Sequence, residues 1–127
     1  MNLPGGAALR RRGVWHGFGL AFVALVVFLS LAPKAPDAGT FGDINIGHVL
    51  AYAWLMFWYA QLYRRLSSRL VIAVALAALG IALEFLQALT PTRHFSYGDM
   101  RDDALGVVAG WMFATLTDRW TQAVRRT

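Results

Sequence analysis

Seven polar residues could carry chemistry in this chain, and they fall in three short stretches of sequence. They are Asp43 and His48 in the first stretch, Glu84 and Gln87 in the second, and Arg93, Asp99 and Asp103 in the third. An imidazole beside carboxylates can move protons or bond hydroxyl groups, and the guanidinium fork of Arg93 fits a phosphate or a carboxylate. Glu84 and Gln87 are three residues apart and Asp99 and Asp103 are four apart, so each pair shares a helix face if the helix extends that far. This spacing favours one cluster built from several helices.

Simpler roles compete at these positions. Glu84 and Gln87 could only join helices by hydrogen bonds, and His48 could be a histidine of the core. Asp99 and Asp102 stand where a helix begins, a place that favours negative charge, and for Asp102 capping or solvation is the better interpretation. The sequence has no HExxH or comparable ligand motif and no cysteine, so it predicts no metal site and no cofactor.

The composition places these residues in a membrane protein. Of 127 residues, 57% are hydrophobic and only 15% are charged, which is too little polar surface for a soluble domain of this size. The net charge of +5 does not indicate nucleic-acid binding, because the arginines come in short clusters between apolar stretches, as in cytoplasmic loops of membrane proteins. No region is long enough for a second domain, so residues 1–127 are expected to form one.

Four apolar stretches are close to the length of about 20 residues that a spanning helix needs. The predicted helices cover residues 14–31, 46–63, 70–89 and 102–120, with a tight basic turn at residues 64–69. Arginines before the first stretch also fit a signal peptide, but the run is longer than a signal core and has no obvious cleavage motif, so we expect a retained helix. The predicted fold is all-α, an integral membrane four-helix bundle. In it, Gly106 and Gly110 allow a neighbouring helix to approach closely, and Gly13 and Gly17 form a weaker copy of this step.

The arginines predict the orientation of this bundle. Nine basic residues lie in the three segments that share one side of four spans: Arg10, Arg11, Arg12, Arg64, Arg65, Arg69, Arg119, Arg125 and Arg126. The opposite side holds three: Lys34, Arg93 and Arg101. The positive-inside rule therefore predicts a multi-pass protein of the plasma membrane with both termini in the cytoplasm. The seven candidate residues then fall at the outer side, where the three stretches can converge.

Glu84 is the most informative of the seven. It is the only acidic residue well inside an apolar stretch, about 7–8 Å from the predicted helix end at 1.5 Å per residue. An ionisable group in that position is expensive, costs less near the interface, and usually faces the bundle interior and finds a partner. We expect that partner to be Arg93 or His48.

With these residues in view, the chain resembles the VanZ-like family of small bacterial membrane proteins. In chain order the matching elements are residues 30–33 (SLAP), Asp43, residues 48–52 (HVLAY), residues 84–87 (EFLQ), residues 91–93 (PTR), Asp99, residues 103–106 (DALG) and Gly110. They extend over most of the chain, from about residue 28 to residue 112. The family commonly has a lysine shortly before the histidine, near Asn45 here, and an asparagine at the position of Asp103. The family is named for a member associated with low-level resistance to the glycopeptide teicoplanin, so the resemblance implies a cell-envelope protein with a link to glycopeptide tolerance.

Three functions remain open at this level. The leading hypothesis is a non-enzymatic envelope protein whose outer cluster binds an anionic or sugar-bearing lipid head group, with Arg93 on the anion. The second is a structural or regulatory subunit that contacts another membrane protein. The third is an enzyme acting on a lipid-linked substrate with Glu84 or His48 as general base. The expected partners are the bilayer, a lipid-linked envelope component or another membrane protein, and no nucleic acid.

The orientation can be tested with reporter fusions that are active only outside the cytoplasm. A fusion at Thr127 should be silent and one near Ala38 active, because nine of the twelve basic residues fall on the side of the C-terminus. Activity of the fusion at Thr127 would contradict the four-span arrangement.

Overall fold

The computed structural model of this protein describes residues 5–32, 39–90 and 96–126. They form four helices and one short β-ribbon. The elements are α1 (Gly5–Leu31), β1 (Thr40–Phe41), β2 (Ile44–Asn45), α2 (Ile46–Leu62), α3 (Leu66–Ala88) and α4 (Tyr97–Arg126). The all-helical class is confirmed for these residues. Two helical segments, Arg12–Leu31 and Leu66–Ala88, are long and apolar enough to cross a membrane.

Three helices extend beyond the predicted stretches. α1 begins at Gly5, nine residues before the expected start, α3 begins at Leu66 inside the predicted basic turn, and α4 begins at Tyr97 and continues to Arg126. The apolar stretches mark only the apolar part of each helix. Arginine, alanine and glutamine are good helix formers, so the polar flanks continue the helical backbone. Only residues 63–65 separate α2 from α3.

A β-ribbon precedes α2, and the sequence did not predict it. Its strands are antiparallel, with Thr40 opposite Asn45 and Phe41 opposite Ile44. Gly42 in the turn has a φ of 63° and Gly39 before β1 has a φ of 94°, which L side chains rarely adopt. The ribbon ends at Asn45, whose side chain accepts a hydrogen bond from the backbone N–H of His48 and so caps α2. It therefore sets where α2, and with it His48, begins.

The core is built around α2, which packs mainly against α4. Four of its side chains are buried, those of Tyr52, Leu55, Met56 and Ala60. They meet Leu76 of α3 and Val107 and Ala114 of α4 in one apolar cluster. α1 is attached at the side of this core by aromatic contacts. The rings of Trp15 and Trp58 stack at 4.2 Å, and the Trp58 indole N–H donates to the Trp15 carbonyl at 2.9 Å.

The predicted close approach at Gly106 and Gly110 is confirmed. A β-carbon at Gly106 would lie 2.5 Å from the carbonyl oxygen of Val49, and one at Gly110 would collide with the backbone of Ala53. Both glycines therefore let α4 touch the backbone of α2. The weaker pair predicted at Gly13 and Gly17 is wrong, because a β-carbon at either position would meet no described atom within 4 Å. α1 approaches α2 through Gly19 instead, and there a β-carbon would collide with Tyr59.

Arg69 differs from its expected role as a loop charge. Its side chain is buried, and its guanidinium donates to the carbonyl oxygens of Tyr63 and Ala60 at 2.9 and 2.8 Å. It also pairs with Asp118 of α4 at 2.7 Å. An arginine fork suits several acceptors at the C-terminal end of a helix, where carbonyls lack partners. Arg69 thus joins the end of α2 to α4.

The helix surface that faces away from the core is apolar on all four helices. Phe28 of α1, Leu50 of α2, Val71 of α3 and Phe113 of α4 are each more than half exposed. Monomeric soluble proteins rarely leave large contiguous apolar patches open to water. The described residues therefore present an outer surface suited to an apolar environment.

Gly106→Leu should destabilise the fold, because the new side chain would have to displace the α2 backbone at Val49. Overpacking of this kind typically costs about 1–3 kcal/mol. The melting temperature in detergent is the measurement. Ala109→Leu, which enlarges a side chain on the exposed side of the same helix, serves as the control and should melt like the parent. Equal melting of Gly106→Leu and the parent would mean that α4 does not pack on α2 through this face.

Candidate functional site

The polar residues at the ribbon end of the bundle form two adjacent networks. The first centres on His48, in the opening turn of α2. Its Nδ1 lies 2.7 Å from Oδ1 of Asp103, and its Nε2 lies 3.8 Å from Oδ2 of Asp99. An ionised carboxylate can only accept, so we assign the hydrogen to Nδ1. The predicted convergence of His48, Asp99 and Asp103 is thus present, and these three residues define the His48 cluster.

A glycine of α3 makes room for this cluster. A β-carbon at Gly80 would lie 2.7 Å from Oδ2 of Asp103, so the carboxylate is seated directly against the α3 backbone. The Asp103 side chain is nearly closed off, whereas those of His48 and Asp99 are 21% and 26% exposed. The cluster is therefore open on the edge where Nε2 of His48 faces Asp99. A separation of 3.8 Å is too long for a direct hydrogen bond, so among the described residues these two groups do not bond each other and could both bond a third polar group.

Glu84 is linked to the His48 cluster through Ser96, which contacts both Glu84 and Asp99. It is only 1% exposed, and its carboxylate accepts the backbone N–H of Ser96. The Ser96 hydroxyl in turn accepts the backbone N–H of Asp99 at 3.1 Å and caps α4. His48, one of the two expected partners of Glu84, has its hydrogen bond with Asp103. Arg93, the other expected partner, lies outside the described residues.

Gln87 points to a different neighbour. Its side chain is buried, and its Nε2 donates to the backbone carbonyl of Ser30 at 2.7 Å. This bond fastens the end of α1 to α3. The helix-joining role that competed for Gln87 is present in the structure. No described contact joins Gln87 to the His48 cluster, so its role in binding stays a prediction.

The second network ties the ribbon to α4 and contains Asp43. Arg101 donates to the Asp43 carboxylate at 3.1 Å and to Asp102 at 3.0 Å. The other oxygen of Asp102 accepts the backbone N–H of Asn45 at 2.8 Å. The Asp43 side chain is 84% exposed, so it belongs to this outer network and not to the His48 cluster. The hydrogen bond and charge of Arg101 lower the pKa of the Asp43 carboxyl below its ordinary value.

Asp102 and Arg101 are the residues that sequence reasoning missed. Asp102 was expected to cap a helix or to be solvated, but it is 1% exposed, and Ser96 caps α4. Consecutive residues on a helix point about 100° apart, so Asp102 faces the ribbon while Asp103 faces His48. A pair of adjacent aspartates at the start of a helix was the available signal, but it does not reveal which neighbour each will meet.

The donor set limits the chemistry of the site. In the described part of the chain no group of three histidine, cysteine, aspartate or glutamate side chains is arranged to hold a metal ion. The His48 cluster combines one imidazole with two carboxylates, and Glu84 adds a third carboxylate beneath them. The carboxylates can accept hydrogen bonds from hydroxyl and amine groups, and the imidazole can form a hydrogen bond or take up a proton.

Comparison with known proteins does not identify this chain. No model of a known protein family, no curated protein and no solved structure matches it. The resemblance to the VanZ-like family therefore stays a prediction.

The two carboxylates on Arg101 should contribute unequally to stability. Asp102→Ala leaves the backbone N–H of Asn45 without its partner inside the fold, which costs about 1–3 kcal/mol. Asp43→Ala is the matched control because it removes an exposed carboxylate from the same guanidinium, and exposed ion pairs contribute little. Thermal melts of both variants should show a clear loss for Asp102→Ala and almost none for Asp43→Ala. Equal losses would mean that the ribbon is not anchored through Asp102.

Proposed function

We propose that this chain is a four-span protein of the bacterial plasma membrane, with both termini in the cytoplasm. The outward-facing apolar side chains on all four helices support this placement, as do the two apolar helical segments. α2 has 17 residues, which extend about 25 Å at 1.5 Å per residue and approach the hydrocarbon thickness of about 30 Å. The arginine asymmetry supports the orientation.

The charges of α4 fit the same placement. This helix carries acidic residues near both ends of its apolar part, Asp103 and Asp118. Each is turned inward and paired, Asp103 with His48 of α2 and Asp118 with Arg69 of α3. Ionisable groups in spanning helices face the bundle interior and pair with one another. Between them, residues 104–117 carry no charge and can face lipid.

We further propose that the His48 cluster binds the polar head group of a lipid-linked envelope component. The observation that carries this is the open edge of the cluster, where Nε2 of His48 and the Asp99 carboxylate face each other at 3.8 Å. With the bundle in a membrane, this edge lies at the outer end, at the depth of lipid head groups. The 2.7 Å bond from Asp103 holds the imidazole so that Nε2 points to the opening.

The charges of the described residues around His48 favour a sugar-bearing head group over an anionic one, the two ligand classes expected from the sequence. Asp99, Asp103 and Glu84 surround a single imidazole, and the nearby Arg101 is already engaged by Asp43 and Asp102. Like charges in a site of low dielectric repel strongly, which disfavours a bare anion. Hydroxyl groups of a sugar can donate both to the carboxylates and to Nε2 of His48. The proposed ligand is therefore sugar-bearing, and the family resemblance agrees with an envelope component.

A second function is favoured by the same hydrogen bond. A carboxylate on Nδ1 with Nε2 facing an opening is the arrangement of a general base. In this alternative the protein is an enzyme, and His48 takes a proton from a hydroxyl of the lipid-linked substrate. The non-enzymatic proposal stands first because no described group beside Nε2 is placed to activate an electrophile.

The test is mass spectrometry of the lipids that co-purify with the protein in mild detergent. The parent should carry a defined glycolipid or sugar-bearing polyprenyl lipid, and His48→Gln should lose most of it, because the glutamine amide cannot reproduce the imidazole held by Asp103. His16→Gln is the matched control, since His16 lies near the opposite end of the bundle and contacts Tyr63. This variant should keep the lipid.

Three results would redirect the proposal. Bulk phospholipid alone on the parent would favour the structural or regulatory subunit, in which the polar residues only hold the bundle together. A glycolipid that His48→Gln and His16→Gln retain equally would place the ligand elsewhere. Conversion of the added glycolipid to a new mass by the parent, abolished in Asp103→Asn while the lipid still binds, would favour the enzyme.

A further inference from the structure

A concave surface lies toward the opposite end of the bundle from the His48 cluster. It is an open groove of about 470 Å³, bounded by Leu66 at the start of α3 and by one face of α4. The lining residues of α4 are Val108, Trp111, Met112, Thr115, Leu116 and Arg119. They recur every three or four residues, so they form one stripe about 16 Å long at 1.5 Å per residue.

The wall of this groove is apolar except at one end. The hydroxyl of Thr115 donates to the carbonyl of Trp111 within the same helix, so it requires no partner from the groove. Val108, Met112 and Leu116 are each more than half exposed, although they line a concavity. The wall suits a hydrocarbon chain.

The charged end of the groove is Arg119. Its sequence neighbour Asp118 is already paired with Arg69 at 2.7 Å and lies 3.9 Å from Arg64, so Arg119 has no acidic partner among the described residues. Arg119 is exposed, at the end of the bundle that also holds Arg12 and Arg64. An unpaired guanidinium beside an apolar groove complements an anionic phosphate attached to a hydrocarbon chain.

We propose that this groove binds one anionic phospholipid, with an acyl chain along α4 and its phosphate on Arg119. The inference rests on the proposed membrane placement but not on any ligand of the His48 cluster. In the proposed orientation Arg119 lies at the cytoplasmic leaflet, where anionic lipids attract arginine. The site differs from the general lipid contact of the bundle in selecting the head group by charge.

Native mass spectrometry of the purified full chain tests this site. The probes are phosphatidylglycerol and phosphatidylcholine with identical acyl chains. One phosphatidylglycerol molecule should bind about fivefold better than phosphatidylcholine, the factor expected for one arginine near an anionic surface. Arg119→Gln should reduce this preference to about one. Arg12→Gln is the matched control, because it removes a positive charge from the same side without lining the groove, and it should retain the preference.

A second pair of variants tests the groove itself. Leu116→Trp places a larger side chain in the groove and should weaken binding of both lipids, whereas Leu50→Trp, the same substitution on the exposed surface of α2, should leave both unchanged. Melting temperatures close to the parent's show that each variant is folded. Equal binding of the two lipids by the parent, or a preference that survives in Arg119→Gln, would overturn the site. So would unchanged lipid binding by Leu116→Trp, or a second copy of the chain in place of lipid.

Discussion

Helices α2 and α4 approach so closely that a β-carbon at Gly106 would lie 2.5 Å from the carbonyl oxygen of Val49. One turn further, Gly110 lies against the backbone of Ala53 in the same way. This contact fixes both the distance and the rotation of α4 relative to α2. Because α4 begins next to the ribbon, the same rotation decides where its first polar side chains point. The polar contacts between α2 and α4 at the His48 end depend on it.

The rotation of α4 about its axis gives the adjacent carboxylates of Asp102 and Asp103 different partners. Asp102 faces the ribbon and accepts the N–H of Asn45, which fixes the start of α2. Asp103 faces α2 and α3, where it bonds His48 and rests against Gly80. One residue thus places the helix that carries the imidazole, and the next aims the imidazole itself. A ligand at the open edge of His48 would therefore meet a site whose geometry is set from two directions.

At each end of the apolar part of α4 an aspartate is paired inside the bundle, but the exposed surfaces at the two ends differ in charge. Asp103 and Asp118 are both paired inside the bundle, with His48 and Arg69 respectively, which limits the cost of keeping charge away from water. What remains exposed is acidic beside His48 and basic at Arg119. A sugar-bearing head group suits the first surface and an anionic phospholipid suits the second. The two proposals follow from this difference, and each can fail without the other.

The sequence by itself determined the features that depend on local pattern. Apolar stretches predicted four helices, small residues predicted the approach at Gly106 and Gly110, and helical spacing predicted that Asp99 and Asp103 share a face. The predicted topology placed that face on the same side as His48. Only the tertiary structure decided the partners: Ser96 for Glu84, Ser30 for Gln87, Arg101 for Asp43, and a buried position for Asp102 and Arg69. Hydropathy and periodicity describe one helix at a time, since they arise from side chains a few residues apart. A hydrogen-bond partner depends instead on how far each helix is rotated and where it crosses its neighbour, and backbone groups such as the Ser96 N–H and the Ser30 carbonyl have no signature in residue type.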